Sequence, residues 1–237
     1  MKVAFVGLGV MGYPMAGHVQ NAGMEMCVYN RTQSKSESWC AQYGGDMAPT
    51  PAAVAEGRDV ILVCVGNDDD VREVITGSDG VLAGAKQGAV IIDHTTASAE
   101  LARELSSMIT SRGMKFLDAP VSGGTRGAEA GSLSIMAGGS EDDFDRAERV
   151  FAAMGRATHI GPAGSGQLAK LANQAIVGIT IGAVSEALLL AAKGGARPEK
   201  VREALLGGFA GSKILEQHGE RMLERNFEPG APARIQL

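Results

Sequence analysis

Six short runs of consecutive apolar residues, separated mostly by stretches with helical spacing, limit what this chain can fold into. The runs are VAFVG (3–7), MCVY (26–29), VILVCV (60–65), VIID (90–93), KFLDAP (115–120) and LSIMAGG (133–139). Helical patterns fall at 12–22, 34–43, 98–112 and 141–154. A strand with one wet face alternates polar and apolar residues, whereas one covered on both faces reads as continuous apolar sequence. Such runs alternating with helices predict an α/β domain, a mostly parallel sheet with helices on both faces.

The pattern changes after GPAGSG (161–166), a run of breakers. From Gln167 to Lys193 apolar residues recur at helical spacing, GGARP ends that helix, and Pro198 opens another. The predicted division is an α/β domain at 1–162 followed by an all-helical domain at 163–237. The apolar segment around 175–192 is interrupted by Ser185 and Glu186 and is expected to be a buried helix of a soluble protein rather than a membrane span.

Composition removes several functions. The formal net charge of −5 over 237 residues gives no general attraction to nucleic acid or to an anionic membrane, so any anion site is local. No leader-like segment precedes the first strand, which starts at Lys2, and the expected location is the cytoplasm. The three cysteines, Cys27, Cys40 and Cys64, have no metal-ligand spacing, and no metal site is expected.

One local anion site is readable. Gly7-Leu8-Gly9-Val10-Met11-Gly12 is a G-x-G-x-x-G at the end of a strand and the start of a helix, the context in which this motif binds a dinucleotide. The first two glycines allow a tight turn and close approach of a pyrophosphate; the third lets the helix pack on the sheet. An acidic residue about twenty positions further on would bond a ribose 2′-hydroxyl and repel a 2′-phosphate. Here that place holds Asn30, followed by Arg31 and Thr32. A neutral amide, a permanent cation and a hydroxyl suit the 2′-phosphate, so NADP(H) is expected over NAD(H).

Ligands of an open parallel sheet bind beyond the carboxyl ends of its strands. Those positions hold Val65 at the end of the third run with Gly66 and Asn67 after it, His94, Thr95 and Thr96 after the fourth, and Ser122, Gly123 and Gly124 after the fifth. The two threonines either contact the nicotinamide end or cap the next helix, with cofactor contact favoured for Thr96. His94 is expected to be structural. Ser122-Gly123-Gly124 can turn N–H groups and a hydroxyl toward a small carboxylate. Lys170 is a charge near the head of an otherwise apolar helix, with Asn173 and Gln174 at i+3 and i+4 on its face. A partly desolvated lysine there can act as general acid/base.

The assembled motifs resemble the β-hydroxyacid dehydrogenase family. GLGVMGYPMAGH is similar to its cofactor signature, DAPVSGGTRGAEAGSLSIMAGG to its substrate signature, and GSGQLAKLANQ to its catalytic-lysine segment. LANQAIVGITIGAVSEALLLA and GGFAGSKILEQHGERMLERNFEPG look closest to the branch that reduces tartronate semialdehyde (2-hydroxy-3-oxopropionate). The resemblance implies a Rossmann-type domain, a helical domain that makes subunit contacts in a homodimer or homotetramer, a small carboxylate-bearing carbonyl or hydroxy acid as substrate, and Lys170 as the acid/base. Many members carry asparagine where this chain has Gln174. Members also continue with further helices, so the helical domain is expected to be incomplete.

Overall fold

The computed structural model describes residues 1–227. Residues 228–237, the end of the expected helical domain, lie outside the described residues. The first region alternates strand and helix. It runs β1 (Lys2–Val6), α1 (Gly12–Asn21), β2 (Glu25–Tyr29), α2 (Gln33–Tyr43), β3 (Asp46–Met47), α3 (Pro51–Ala55) and β4 (Val60–Val63). It continues with α4 (Asp68–Thr76), α5 (Val81–Gly84), β5 (Val90–Asp93), α6 (Ala99–Ser111) and β6 (Lys115–Asp118). A last group comprises β7 (Val121–Ser122), α7 (Gly124–Glu129), β8 (Leu133–Gly138), α8 (Glu141–Met154) and β9 (Gly155–Gly161). Three helices follow: α9 (Ser165–Lys193), α10 (Pro198–Leu206) and α11 (Lys213–Leu223).

The sheet order is β3-β2-β1-β4-β5-β6-β8-β7, with β9 paired to β8. The strands from β3 to β6 are parallel, β8 runs antiparallel to β6, and β9 is parallel to β8. Order reverses between β1 and β4, and that switch point opens the crevice where an open α/β sheet takes its ligand. The continuous apolar runs are buried as their composition requires. Phe5, Leu62 and Ile92 face a cluster containing α1 and α8 side chains, while Ile61, Val63 and Ile91 face the layer containing Leu101 and Leu105 of α6.

Three strands escaped the sequence reading. β3 and β7 are two residues each, and β9 alternates half-buried and exposed positions, as an edge strand does. The helices are cut where side chains replace missing backbone partners. Asn67 accepts from the Asp70 N–H at the start of α4, Ser98 from Leu101 N–H at α6, and Ser140 from Asp143 N–H at α8. Ser98 therefore caps α6, and the capping alternative for Thr95 and Thr96 is corrected.

The chain divides into compact units at Met1–Lys170 and Leu171–Leu237. In the second unit Val184, Leu188 and Leu215 form a small core with Leu205 and Ile214 beside it. The expectation that segment 175–192 is buried fails: Ile179 and Leu190 are each 74% exposed. Within the unit, α10 and α11 supply too little apolar surface to cover more than one side of so apolar a helix. The 29-residue α9 is also the one helix among the described residues long and apolar enough to cross a membrane, with a mean hydropathy of 2.0 in its most apolar window.

Candidate functional site

The glycine turn joins β1 to α1 at the switch point. Gly7 sits at φ +100°, and a Cβ there would lie 2.2 Å from the Cys64 carbonyl oxygen, so only glycine fits. Gly12 is equally confined, its Cβ position being 2.0 Å from the Gly7 oxygen. Gly9, by contrast, has nothing within 4 Å of its Cβ position. The turn is thus tight at both ends and open above its centre, the shape a pyrophosphate needs if it is to lie against backbone and a helix N-terminus. Leu8 is buried, Met11 is half-buried and Val10 is exposed.

Asn30 fixes the neighbouring loop. Its Oδ1 accepts from the Leu8 N–H at 2.9 Å, and its Nδ2 donates to the Thr32 carbonyl at 3.0 Å. A carboxylate could make only the first of these bonds. Arg31 extends from the same loop with its side chain 88% exposed, its NH1 3.6 Å from an Asp70 carboxylate oxygen. Tyr29, Asn30, Arg31, Gln33, Ser36 and Pro49 line a hollow of about 230 Å³ beside it. A larger hollow of about 550 Å³ opens on Gly9 and Val10 and reaches Lys35, Thr125 and Glu129. Thr32 is exposed at the head of α2. These features fit a dinucleotide whose phosphates lie over Gly9 and whose adenosine end reaches Arg31.

The next carboxyl-edge loops are tied together beneath the crevice. Thr95 Oγ1 accepts from the Val65 N–H at 3.0 Å, and the Thr95 N–H donates to Asp93 Oδ1 at 2.9 Å. Asp68 then receives both the N–H and the hydroxyl of Ser98. Thr96 is half-buried between these anchors, while Gly66 and Asn67 are exposed. Burial raises the Asp93 carboxyl pKa to about 7. His94 is buried, its Nδ1 2.7 Å from the Ala119 carbonyl and its ring edge-on to Phe151. Burial lowers its pKa to about 4, so the ring is neutral near pH 7.

Ser122 is the last residue of β7, paired with Ser134, and Gly123 and Gly124 follow at φ +140° and +60°. The two glycines are exposed, and their positive φ values turn the chain from strand to α7 within two residues. Lys170 lies in the second turn of α9 and is only 8% exposed. Burial lowers its pKa, and no carboxylate among the described residues forms an ion pair with it. Asn173 and Gln174 follow on the same helix, half-buried, with the Asn173 amide donating to the Gln174 oxygen at 2.9 Å. Two buried polar residues that lie inside the quoted signatures but were given no role from the sequence, Asp118 and Gln167, stand at the head of this helix.

Comparison with known proteins gives this geometry its context. Residues 2–161 match the family described as the NAD binding domain of 6-phosphogluconate dehydrogenase. Residues 164–237 match the NAD-binding region of NADP-dependent 3-hydroxyisobutyrate dehydrogenase. The chain is 43% identical to the 2-hydroxy-3-oxopropionate reductase of Escherichia coli, an alignment covering 97% of this chain and 78% of the relative. The chain belongs to the β-hydroxyacid dehydrogenase family. An uncharacterized oxidoreductase of Shewanella frigidimarina is 44% identical over 97% of this chain and 79% of its own length. Mycobacterium tuberculosis 3-hydroxyisobutyrate dehydrogenase, solved with L-serine, superposes with a TM-score of 0.89 at 30% identity, covering 99% of this chain and 82% of that one. As a β-hydroxyacid dehydrogenase the chain is an NAD(P)-dependent oxidoreductase acting on small hydroxy acids, and it is shorter than these relatives.

Proposed function

We propose that this chain is an NADPH-dependent reductase of a short semialdehyde acid, tartronate semialdehyde being reduced reversibly to glycerate, with Lys170 as the general acid/base. The observation that carries the reading is a lone lysine, buried near the head of α9 with no counter-ion among the described residues. Keeping an ammonium out of water without a partner is costly, and such a group gives up its proton more readily than a solvated lysine. Proton transfer from a positioned group of this kind is worth roughly 10²–10⁴ in rate.

When bound, the reduced cofactor supplies the hydride to the carbonyl carbon. Lys170 Nζ donates a proton to the developing alkoxide, and in oxidation the neutral amine takes the hydroxyl proton. Ser122, Gly123 and Gly124 hold the substrate carboxylate, while Asn173 or Gln174 orients the reacting hydroxyl. Gly7 to Gly12 hold the pyrophosphate. Arg31 and Thr32 bind the 2′-phosphate, Arg31 leaving its loose contact with Asp70. Val65, Gly66, Asn67 and Thr96 border the nicotinamide half. The division at 1–162 and 163–237 separates cofactor binding from the helices that bring lysine and amide. The same reading places the enzyme in the cytoplasm as a homodimer or homotetramer.

Identity to the E. coli reductase supports tartronate semialdehyde. The match of 164–237 favours 3-hydroxyisobutyrate as the second reading. Succinic and glyoxylic semialdehydes need the same chemistry and belong in the same trial, and a non-catalytic NADP-binding role predicts no turnover with any of them. NADPH oxidation with each semialdehyde, and NADP⁺ reduction with glycerate and 3-hydroxyisobutyrate, ranks the candidates by kcat/KM. Lys170→Ala is expected to lower kcat by at least ~100-fold with NADPH affinity little changed. Near-normal turnover in that variant would remove Lys170 from the mechanism.

A further inference from the structure

We infer that Gln167 is a positioning residue, its buried amide locking the turn of α9 that carries Lys170 to the loop after β5. The inference rests on the reading of Lys170 given above. Gln167 has no exposed surface. Its Oε1 accepts from the Ala97 N–H at 3.0 Å, its Nε2 donates to the Thr95 carbonyl at 2.8 Å, and its own N–H donates to Asp118 Oδ2 at 2.9 Å. The other carboxylate oxygen of Asp118 accepts from the Gly164 N–H at 2.7 Å. Asp118 ends β6, so the head of α9 is capped by the sheet itself.

This arrangement needs an amide. The side chain meets one N–H and one C=O at once, and those two groups flank Thr96. A methionine would leave both unsatisfied in a dry environment, which buried backbone groups tolerate poorly. A glutamate could accept from Ala97 but would set a charge against the Thr95 oxygen. Thr95 is in turn tied to Val65 and Asp93, so the frame reaches the β4 loop as well. Helix geometry places Lys170 three residues, about one turn, beyond Gln167 on the same face. One buried side chain therefore registers the proton donor and the loop bearing Thr96 against each other.

Close packing at this point admits little slack. A Cβ on Gly166 would lie 2.3 Å from the Met136 carbonyl oxygen and 2.4 Å from that of Asp118. With backbone against backbone there, loss of the amide bonds has one outlet, a shift of the helix turn or of the 95–97 loop. A displacement of about 1 Å at a reacting group costs on the order of 10²-fold in rate.

The test is a double-mutant cycle of Gln167→Met and Lys170→Ala. It reads kcat, KM and the pH profile with NADPH and the fastest semialdehyde, NADPH Kd by fluorescence, and the melting temperature. Alone, Gln167→Met is expected to lower kcat at least ~10-fold at a temperature where the protein is folded. NADPH Kd should change little, and the limb of the pH profile that belongs to Lys170 should move. On the Lys170→Ala background the same substitution should add less than about threefold, because its effect passes through the lysine. Wild-type kcat and pH profile in Gln167→Met, or an equal further loss on the Lys170→Ala background, overturns the inference. Should Gln167→Met not fold, Gln167→Glu enters the same cycle, because it keeps the length and the bond to Ala97. Full activity of Lys170→Ala would instead sink the reading of Lys170, and the inference with it; an inactive Lys170→Ala beside a normal Gln167→Met sinks the inference alone.

Discussion

Arg31 and Asp70 lie 3.6 Å apart at the rim of the crevice, and this pairing predicts how cofactor choice responds to substitution. So exposed a pair contributes little to stability, and a 2′-phosphate offers the guanidinium a doubly charged, bidentate partner in its place. Charge-assisted bonds of this kind are worth about 1.5–3 kcal/mol, so Arg31→Asp should shift the ratio of kcat/KM toward NADH by roughly 10–100-fold. An unchanged ratio would show that the phosphate is bound elsewhere. Beneath the crevice, Asp93 and His94 make opposed contributions to stability. The Asp93 pKa is raised to about 7, so the native state holds more protons than the unfolded chain from about pH 4 to 7 and stability falls as pH rises there. The His94 pKa is lowered to about 4, so the native state holds fewer protons from about pH 4 to 6.5 and stability rises with pH. Each effect is on the order of 3 kcal/mol, and across their shared window they largely cancel. Asp93→Asn should expose the rising limb and His94→Gln the falling one. Denaturant midpoints measured at half-unit steps of pH check both; parallel slopes in the two variants would contradict the assignment.

The elements were legible where burial leaves a one-dimensional signature. β1, β4 and β5 read as apolar runs because helices cover both faces, and the glycine turn reads because Gly7 and Gly12 have no room for a side chain. β9 was missed because Arg156, Thr158 and Ile160 point outward along an edge, leaving only alternate positions half-buried. The frame under the crevice was missed for a different reason. Asp118 and Gln167 are 49 positions apart and carry no periodicity, so only the folded sheet brings carboxylate and helix head together. Arg31 was legible as a cation but not by its partner, since the acidic first turn of α4 reaches it only through the order of the strands. The close approach at the head of α9 gives an element-scale prediction. Gly166→Ala drives a methyl group into two backbone carbonyls that cannot rotate away, so the helix start must move off the ends of β6 and β8. The expected cost is about 1–3 kcal/mol of stability, with a loss of kcat that exceeds any loss of NADPH affinity. Gly178→Ala, with nothing within 4 Å of its Cβ position, is the control and should leave both unchanged or gain slightly in stability.

At the scale of the whole molecule, the exposed apolar surface of α9 departs most from what a lone soluble domain tolerates. Ile176, Ile179, Leu189 and Leu190 are each more than half exposed; Glu186 and Lys193 lie one turn from the two leucines, whereas neither isoleucine has a charged neighbour at the adjacent helical turn to keep the face wet. Soluble proteins leave apolar patches of this kind open chiefly where another protein surface covers them. The formal charge of −5 offers no attraction to an anionic bilayer, which leaves protein the better match to the same helix. A homo-oligomer accounts for both facts, since a symmetric contact lets one helix face cover its own copy. Sedimentation velocity at micromolar concentration should therefore show a dimer or tetramer. Ile179→Glu, in place of a side chain 74% exposed, should move the distribution toward monomer without unfolding the sheet domain, because the substitution lies in the second unit and outside its small core. A monomer before substitution, or an unchanged distribution after it, would assign that face to something other than a second copy of the chain.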